Sequence, residues 1–211
     1  RALRLLRRVL GPHADLRVDV NCARTAREAL TAITAMQRYG ISAVEQPVPA
    51  DDLEGLRQVT AATSEMIIVD ESLRTLEEAT VLAEERACDA FNVRVSKCGG
   101  LINSMRVAHV ADQAGLACIV GAQVGESGIL STAGRQLAAR IGRLVDVEGS
   151  AGRLLLREDL TVENVLPGWQ GRARPFSRNG LGVRIKESTL KKYGRVHAIL
   201  QASPTKVGQM L

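Results

Sequence analysis

Short runs of aliphatic and β-branched residues alternate along the chain with longer segments whose apolar residues recur at helical spacing. This alternation is typical of repeated βα units, because strands and helices have different side-chain periods. The connections are short and contain no long polar linker, so a parallel sheet covered by helices is predicted. The predicted strands are residues 16–20, 41–45, 66–70, 91–97, 116–120 and 143–148.

Helix-start and helix-stop signals separate these strands. Thr25 with Glu28, and Thr75 with Glu78, have the spacing of a capping box, in which each residue hydrogen-bonds the other's backbone N–H. Gly40 follows the first of these helices and predicts its end. The predicted helices, apart from the two that begin with a capping box, are 1–10, 51–63, 101–114 and one that begins near residue 127.

Polar residues end four consecutive predicted strands at a nearly constant interval. Asp19, Glu45, Asp70 and Lys97 are separated by 26, 25 and 27 residues, about one βα unit each. In a closed β/α barrel the carboxyl ends of the strands meet at one mouth, where the active sites of this fold lie. An open doubly wound sheet would place the four groups in a row, so the pattern favours a barrel.

The number of units is smaller than a closed barrel requires. Six strands are predicted by residue 148, whereas a closed barrel has eight in roughly 250 residues. The amphipathic segment 1–10 resembles the helix of a preceding unit. We therefore expect at least one further strand upstream of Arg1.

Three carboxylates at successive strand ends predict a metal site. Oxygen ligands of this kind suit Mg²⁺ or Mn²⁺. A single acidic residue after a strand more often caps a helix or pairs with an arginine, and that alternative applies to each residue alone. Three carboxylates at one barrel mouth would repel each other unless a cation joins them.

Four short stretches around these residues resemble a known family. They are Asp19-Val-Asn21, Val44-Glu45-Gln46-Pro47, Val69-Asp70-Glu71-Ser72 and Val95-Ser-Lys97-Cys-Gly99-Gly100. Together, in this order, they resemble the muconate lactonizing enzyme and mandelate racemase branch of the enolase superfamily, over about residues 1–182. The resemblance implies a TIM-type β/α barrel, the C-terminal enolase-like domain of that family.

The resemblance also implies roles for these residues. It makes Asp19, Glu45 and Asp70 ligands of Mg²⁺ or Mn²⁺ and Lys97 a general acid/base. A fixed divalent cation would stabilise the enolate that forms when a proton next to a carboxylate is removed. By the same analogy Asn21 and Glu71 support the ligands, although turn bonding or capping explains them equally well.

By the same resemblance, residues at the end of the last predicted strand and after the one before it are implied to contact a small carboxylate substrate. They are Glu126, Ser127, Asp146 and Glu148. Glu126 matches a glutamate of muconate cycloisomerases, and Asp146 with Glu148 is close to the Asp-x-Asp of dipeptide epimerases. Helix capping is an equally good reading of Glu126 and Ser127. The leading hypothesis is a muconate cycloisomerase-like isomerase; epimerisation of dipeptides or N-acyl amino acids, acid-sugar dehydration and a non-catalytic barrel fragment are the alternatives.

Two features of the family are not found in the sequence. One is the Lys-x-Lys of the second barrel strand, which supplies an acid/base on the opposite face, and the other is the N-terminal capping domain. Residues 1–166 are predicted to form a partial barrel, and residues 167–211 a segment that packs on the capping domain in the family. If the 211 residues act alone, racemisation with two opposed bases is in doubt.

Composition narrows the remaining function classes. The net charge is +5, but the arginines are interspersed with acidic residues and aromatics make up 2%, so nucleic-acid binding is not predicted. No apolar run approaches the roughly 18 residues of a membrane span. Four cysteines without paired spacing predict reduced thiols in a cytoplasmic protein, and a homo-oligomer is an open alternative. His13 and His109 are predicted to be structural or exposed, and His197 lies in the C-terminal tail.

Overall fold

A computed structural model of the chain describes residues 2–149 and 152–196. Six strands alternate with helices in this part of the chain. The strands are β1 Arg17–Asp19, β2 Ala43–Glu45, β3 Met66–Val69, β4 Ala90–Val93, β5 Ala117–Val120 and β6 Leu144–Val147. The helices are α1 Ala2–Leu10, α2 Ala26–Gln37, α3 Leu53–Ala62, α4 Leu76–Glu84, α5 Leu101–Gln113, α6 Gly128–Ala138, α7 Gly152–Leu155 and α8 Glu187–Tyr193, with a 3₁₀ turn at Trp169–Gly171.

The strands form one parallel sheet in the order β1 to β6, so each strand pairs with its neighbour in sequence. Parallel pairing between consecutive strands requires a crossover, and α2 to α6 supply one crossover each. The predicted βα organisation is therefore confirmed. Both predicted capping boxes are also present, at the start of α2 and of α4.

The sheet has an outer and an inner apolar face. The larger core lies between the sheet and the helices and includes Phe91, which is fully buried. The smaller core lines the concave side of the sheet and consists of buried residues from four adjacent strands: Ala43, Ile68, Ala90 and Ile119. Because both faces of the sheet are covered, all residues of β2 and β4 and three of the four residues of β3 are buried.

The two edge strands approach each other although no backbone pairing joins them in the described residues. Arg17 in β1 and Asp146 in β6 form an ion pair, which links residues 129 positions apart in the sequence. The sheet is therefore curled into a half-barrel. The described residues contribute six strands to it, not the eight of a closed barrel.

One predicted strand is too long. Residues 91–97 were predicted to be extended, but β4 ends at Val93 and the chain turns from Val95 onward. Backbone bonds from Cys98 N to Arg94 O and from Gly100 N to Val95 O, at 3.0 and 2.8 Å, close this turn. The apolar residue Val95 continues the strand pattern locally, and the two glycines that follow, both with positive φ, allow the reversal.

The segment after residue 166 packs against α6 and the loop that follows α7. Gln136 of α6 donates to the carbonyl of Phe176 at 2.8 Å, and an antiparallel bridge joins Thr161 to Ile185. The bridge connects residues on both sides of the predicted boundary at 166/167, which stays a prediction. His197 and the rest of the tail lie outside the described residues. No helix in the described ranges is long and apolar enough to cross a membrane.

Candidate active site

The three carboxylates predicted to bind a metal lie at the ends of adjacent strands. Asp19 ends β1, Glu45 ends β2, and Asp70 directly follows β3. The parallel register places Asp19 opposite Glu45, and Glu45 opposite Ile68, two residues before Asp70. Neighbouring strands are about 4.8 Å apart, so the three residues share one end of the sheet. Glu45 and Asp70 are buried, whereas Asp19 is exposed.

The carboxyl of Glu45 has a strongly raised pKa. Burial raises the pKa of its carboxyl to about 7, and the negative charges of Asp19, Glu148 and Asp70 add to that effect. A hydrogen bond of 2.7 Å from Asn92 Nδ2 to Glu45 Oε1 opposes it by stabilising the ionised form. The raised pKa of Glu45 therefore reflects its burial first and its three acidic neighbours second.

Gln46 holds the ends of β2 and β3 together. Its side chain is fully buried, and its Oε1 accepts hydrogen bonds from the backbone N–H groups of Asp70 and Ser72 at 3.0 and 3.2 Å. Its Nε2 donates to Val48 O at 3.0 Å and to Ser72 Oγ at 2.8 Å. The amide thus uses all of its principal donors and acceptors. Gln46 therefore fixes the position of the backbone at Asp70.

Two cationic side chains meet at Asp70. Lys97 Nζ contacts one carboxylate oxygen of Asp70, and a guanidinium nitrogen of Arg94 contacts the other. The same nitrogen of Arg94 is 3.9 Å from Glu45 Oε1. Arg94 was not predicted from the sequence to belong to the site, although it lies two residues after Asn92 and on the same face.

Lys97 is also tied to the backbone. Its Nζ donates to the carbonyl oxygens of Asp70 and Asn92, at 2.6 and 3.0 Å. Burial lowers the pKa of the Lys97 ammonium, and the neighbouring Asp70 carboxylate opposes that shift. The sequence placed Lys97 at a strand end, whereas the structure places it in the turn after β4. Its role as an acid/base stays a prediction.

Asn92 links Glu45 to Glu148. Like Arg94, it was not among the site residues predicted from the sequence. Its side chain is fully buried in β4 and donates to Glu45 and, at 3.3 Å, to Glu148 Oε1. Gly121 leaves the space that this arrangement needs, since a Cβ there would lie 2.0 Å from Asn92 Oδ1. Asn92 is polar within a buried apolar strand, and that is the signal by which the sequence could have identified it.

The other residues predicted to support the ligands or to contact substrate do not all lie at the site. Glu148 faces the site, because its Oε1 accepts from Asn92 Nδ2 at 3.3 Å, and its Oε2 accepts from Ala122 N at 2.8 Å. Asp146 lies two residues earlier in β6 and pairs with Arg17. The backbone N–H of Asn21 donates to Asp19 Oδ1 at 2.9 Å, which orients that carboxylate. Glu71 lies beside Cys22 and raises the pKa of that thiol, after the larger effect of burial.

Glu126 and Ser127 are held within their own loop and helix. Glu126 accepts hydrogen bonds from Gln123 N at 3.1 Å and from Ser131 Oγ at 2.9 Å. Ser127 is the N-cap residue of α6, although its side chain makes no capping hydrogen bond. These contacts hold the side chain of Glu126 in the loop before α6. The substrate-binding role of both residues stays a prediction.

The carboxylates fit a divalent cation in chemistry and in placement, but their side chains do not converge. In the part of the chain that the structure describes, no three acidic, histidine or cysteine side chains are arranged to hold a metal ion. At Asp70 the two carboxylate oxygens contact Lys97 and Arg94. A cation could enter only if at least one of these ion pairs opened.

Comparison with known proteins identifies the class to which this fold and site belong. Residues 1–189 match the family described as Enolase C-terminal domain-like. The chain therefore belongs to this family, within the branch of muconate cycloisomerases and dipeptide epimerases that the sequence motifs indicated.

Individual relatives and solved structures show the degree of similarity. The chain is 31% identical to an N-succinyl-L-Arg/Lys racemase of Bacillus cereus over 189 residues, which are 89% of this chain and 50% of the relative. A dipeptide epimerase of Cytophaga hutchinsonii, solved with Mg and the dipeptide D-Ala-L-Val, superposes with a TM-score of 0.84 at 25% identity, covering 90% of this chain and 51% of that one.

A cycloisomerase resembles the chain to a similar degree. The 2-chloromuconate cycloisomerase of Rhodococcus opacus 1CP superposes with a TM-score of 0.83 at 28% identity, covering 93% of this chain and 52% of the other. The chain thus spans about half the length of the racemase, the epimerase and the cycloisomerase. Similarity to both reaction types shows the family without separating its reactions.

Proposed function

We propose that this chain carries the metal-binding half of a divalent-metal-dependent isomerase that exchanges a proton next to the carboxylate of a small substrate. The observation that carries the proposal is the group of three carboxylates at the ends of β1, β2 and β3, with the pKa of Glu45 raised to about 7 by burial and by its acidic neighbours. Such a concentration of negative charge is relieved by a bound cation. Family membership supports the same reading.

Asp19, Glu45 and Asp70 would hold Mg²⁺ or Mn²⁺, since all three supply hard oxygen ligands. When bound, the metal would act as a Lewis acid toward the substrate carboxylate and so stabilise the negative charge that develops on proton removal. Asn92 donates to one oxygen of Glu45, and the backbone N–H of Asn21 donates to one oxygen of Asp19, so these two bonds orient the carboxylates through one oxygen each.

Lys97 would transfer the proton in this proposal. Its buried ammonium has a lowered pKa, which brings the neutral amine closer to physiological pH. The opening of its contact with Asp70 would leave the two backbone carbonyls as its anchors. Glu148, Glu126, Ser127 and Asp146 are the residues proposed to lie toward the substrate, and Glu148 has the most direct support because it shares Asn92 with Glu45.

The metal site is tested by thermal unfolding with Mg²⁺. Saturating Mg²⁺ should stabilise the chain by roughly 2–3 kcal/mol at a hundredfold excess over its Kd, or about 5–10 °C for a domain of this size. The Asp70→Asn variant should lose this response, whereas Asp112→Asn, which changes an exposed residue of α5, should keep it. An equal response in all three proteins would refute the site.

The role of Lys97 is tested by deuterium exchange at the α-carbon of candidate substrates in D₂O. Lys97→Ala should lower the exchange rate by about 10²-fold or more, as expected for loss of a general acid/base. Lys191→Ala changes an exposed lysine of α8 and should exchange normally. Since Lys97 also bonds two backbone carbonyls, thermal unfolding of both variants must be measured alongside. Unchanged exchange in a folded Lys97→Ala protein would exclude the assigned role.

Muconate cycloisomerisation and epimerisation of dipeptides or N-acyl amino acids are both candidate reactions. Relatives of both reaction types match about nine-tenths of this chain, so both reactions are kept as candidates. Muconates, dipeptides and N-succinyl amino acids should therefore be screened in the same exchange assay. We also propose a cytoplasmic location, which suits four cysteines that remain unpaired thiols in the structure.

A further inference from the structure

Asn92 joins two carboxylates that come from opposite sides of the sheet. It lies in β4, whereas Glu45 ends β2 and Glu148 follows β6, so each carboxylate is two strands away. Asn92 Nδ2 has two hydrogens and donates to both carboxylates, at 2.7 Å to Glu45 Oε1 and at 3.3 Å to Glu148 Oε1. Because one nitrogen contacts both oxygens, these oxygens lie within about 6 Å of each other, the sum of the two bond lengths.

The neighbouring strand positions leave the amide of Asn92 at the centre of the carboxyl end of the sheet. The parallel register pairs Asn92 with Ile119 of β5, and Gly121 follows two residues later on the same face. A Cβ at Gly121 would lie 2.0 Å from Asn92 Oδ1, so a glycine is needed there to make room for the amide. Two residues before Asn92, Ala90 belongs to the inner apolar core. Asn92 therefore lies in the first polar layer above that core.

The contacts of Asn92 are made by the donor side of its amide. The side chain is fully buried, and Oδ1 has no hydrogen-bond partner in the described residues. Within residues 2–149 and 152–196, Nδ2 donates to the two carboxylates and to no backbone carbonyl. A residue that only filled space here would not need an amide, since an unpaired buried carbonyl is costly. The two carboxylates therefore explain why an amide occupies this position.

An uncharged donor suits a position between two acidic side chains. Glu45 and Glu148 repel each other at this separation, and a low local dielectric strengthens the repulsion. Two N–H bonds offset part of it, and because the amide carries no charge, the negative charge of Glu45 remains available to a cation. Glu148 is held a second time by Ala122 N at 2.8 Å, so both of its oxygens are oriented.

We propose that Asn92 is a positioning residue that holds the metal-side carboxylate of Glu45 and the substrate-side carboxylate of Glu148 at a fixed separation. The inference rests on the proposed function, in which Glu45 binds the metal and Glu148 lies toward the substrate. Asn92 acts through these two carboxylates. A misplacement of about 1 Å can cost about 10²-fold in rate, so a donor that sets this separation controls how the substrate lies relative to the metal.

Isothermal titration of the full chain with Mn²⁺ tests the contact with Glu45. Asn92→Val and Asn92→Thr introduce side chains of nearly the same shape that differ in one hydroxyl donor, so they separate the loss of a donor from the change in volume. Asn92→Val should bind Mn²⁺ about 10- to 100-fold more weakly than the unmodified protein, as is typical when a group that orients a metal ligand is removed. Asn92→Thr should recover part of the affinity. Asn103→Val, at an exposed position of α5, should bind Mn²⁺ normally.

Crystal structures of the unmodified protein and of Asn92→Val, in one crystal form, test the contact with Glu148. The distance between Glu45 Oε1 and Glu148 Oε1 should be larger in the variant, because the nitrogen that bonds both oxygens is gone. An unchanged distance would show that Asn92 does not position the pair. The inference would then be wrong, although the metal site would stand.

The titration distinguishes failure of this inference from failure of the proposed function. If Asn92→Val binds Mn²⁺ as tightly as the unmodified protein, or if Asn92→Val and Asn92→Thr lose equal affinity, the donors of Asn92 do not matter and the inference is wrong. If the unmodified protein does not bind Mn²⁺, the proposed function fails and the inference fails with it. Should Asn92→Val not fold, Asn92→Ala and Asn92→Ser form a second pair that differs in one hydroxyl. Tighter binding is then expected for Asn92→Ser, and equal affinities would contradict the inference.

Discussion

Replacement of Gln46 by alanine should destabilise the protein by about 3 kcal/mol, more than any other single change at the polar end of the sheet. The substitution removes two acceptor contacts and leaves the backbone N–H groups of Asp70 and Ser72 buried and unpaired. Each unpaired buried group costs about 1–3 kcal/mol, and the lost volume adds a cavity. Chemical denaturation followed by circular dichroism measures the loss.

Gln58→Ala is the matched control for this prediction. Gln58 lies on α3, where its amide donates to Glu54 at 3.0 Å in an exposed pair. Its replacement should change the free energy of unfolding by less than about 0.5 kcal/mol, as is usual for exposed sites. Equal effects of the two substitutions would show that Gln46 does not hold β2 and β3 together. Gln46→Ala should also weaken Mg²⁺ binding, because Asp70 would lose its fixed backbone.

The metal-free protein should lose stability as the pH rises from about 4.5 to 7. Glu45 has a pKa of about 7 in the folded state, against 4.5 for an unperturbed glutamate. Between these values the folded state holds a proton that the unfolded state releases, so the unfolded state binds fewer protons and unfolding becomes easier with rising pH. The loss is complete above pH 7 and amounts to at most about 3 kcal/mol.

Glu45→Gln isolates this contribution, because glutamine keeps an oxygen that can accept the hydrogen bond from Asn92. The difference in unfolding free energy between the two proteins, measured without metal at several pH values, should grow across this window. A difference that is independent of pH would mean that Glu45 ionises normally. Saturating Mg²⁺ should reverse the trend in the unmodified protein, since the ion binds the ionised carboxylate and its stabilisation increases as protons stop competing.

The elements and their order could be predicted because each has a local signal. Capping boxes at Thr25 and Thr75 mark helix starts within four residues of sequence, and both are present. The interval from Asp19 to Glu45 to Asp70 is one βα unit, and the parallel register turns this spacing into adjacency at one end of the sheet. The sequence therefore determined the βα organisation and the shared location of the carboxylates.

The roles of individual side chains at that end depended on the tertiary structure. β4 ends at Val93, four residues before Lys97, so the equal spacing that suggested a fourth strand-end residue crosses a turn. Inside the strand, the alternation of side chains directs Asn92 toward Glu45 and Glu148, which are 47 and 56 residues away in sequence. No local pattern reports such contacts.

The ion pairs, too, depended on the tertiary structure and not on local sequence patterns. The family resemblance implied a substrate contact for Asp146, which stays a prediction, whereas its ion pair with Arg17, 129 residues earlier, follows from the curl of the sheet. Arg94 was one of many arginines in the sequence and became a candidate of interest only when the fold placed it between Asp70 and Glu45. Local periodicity determined which residues end the strands. The curvature of the sheet and the direction of each side chain decided which of them meet, because those contacts join elements far apart in the chain.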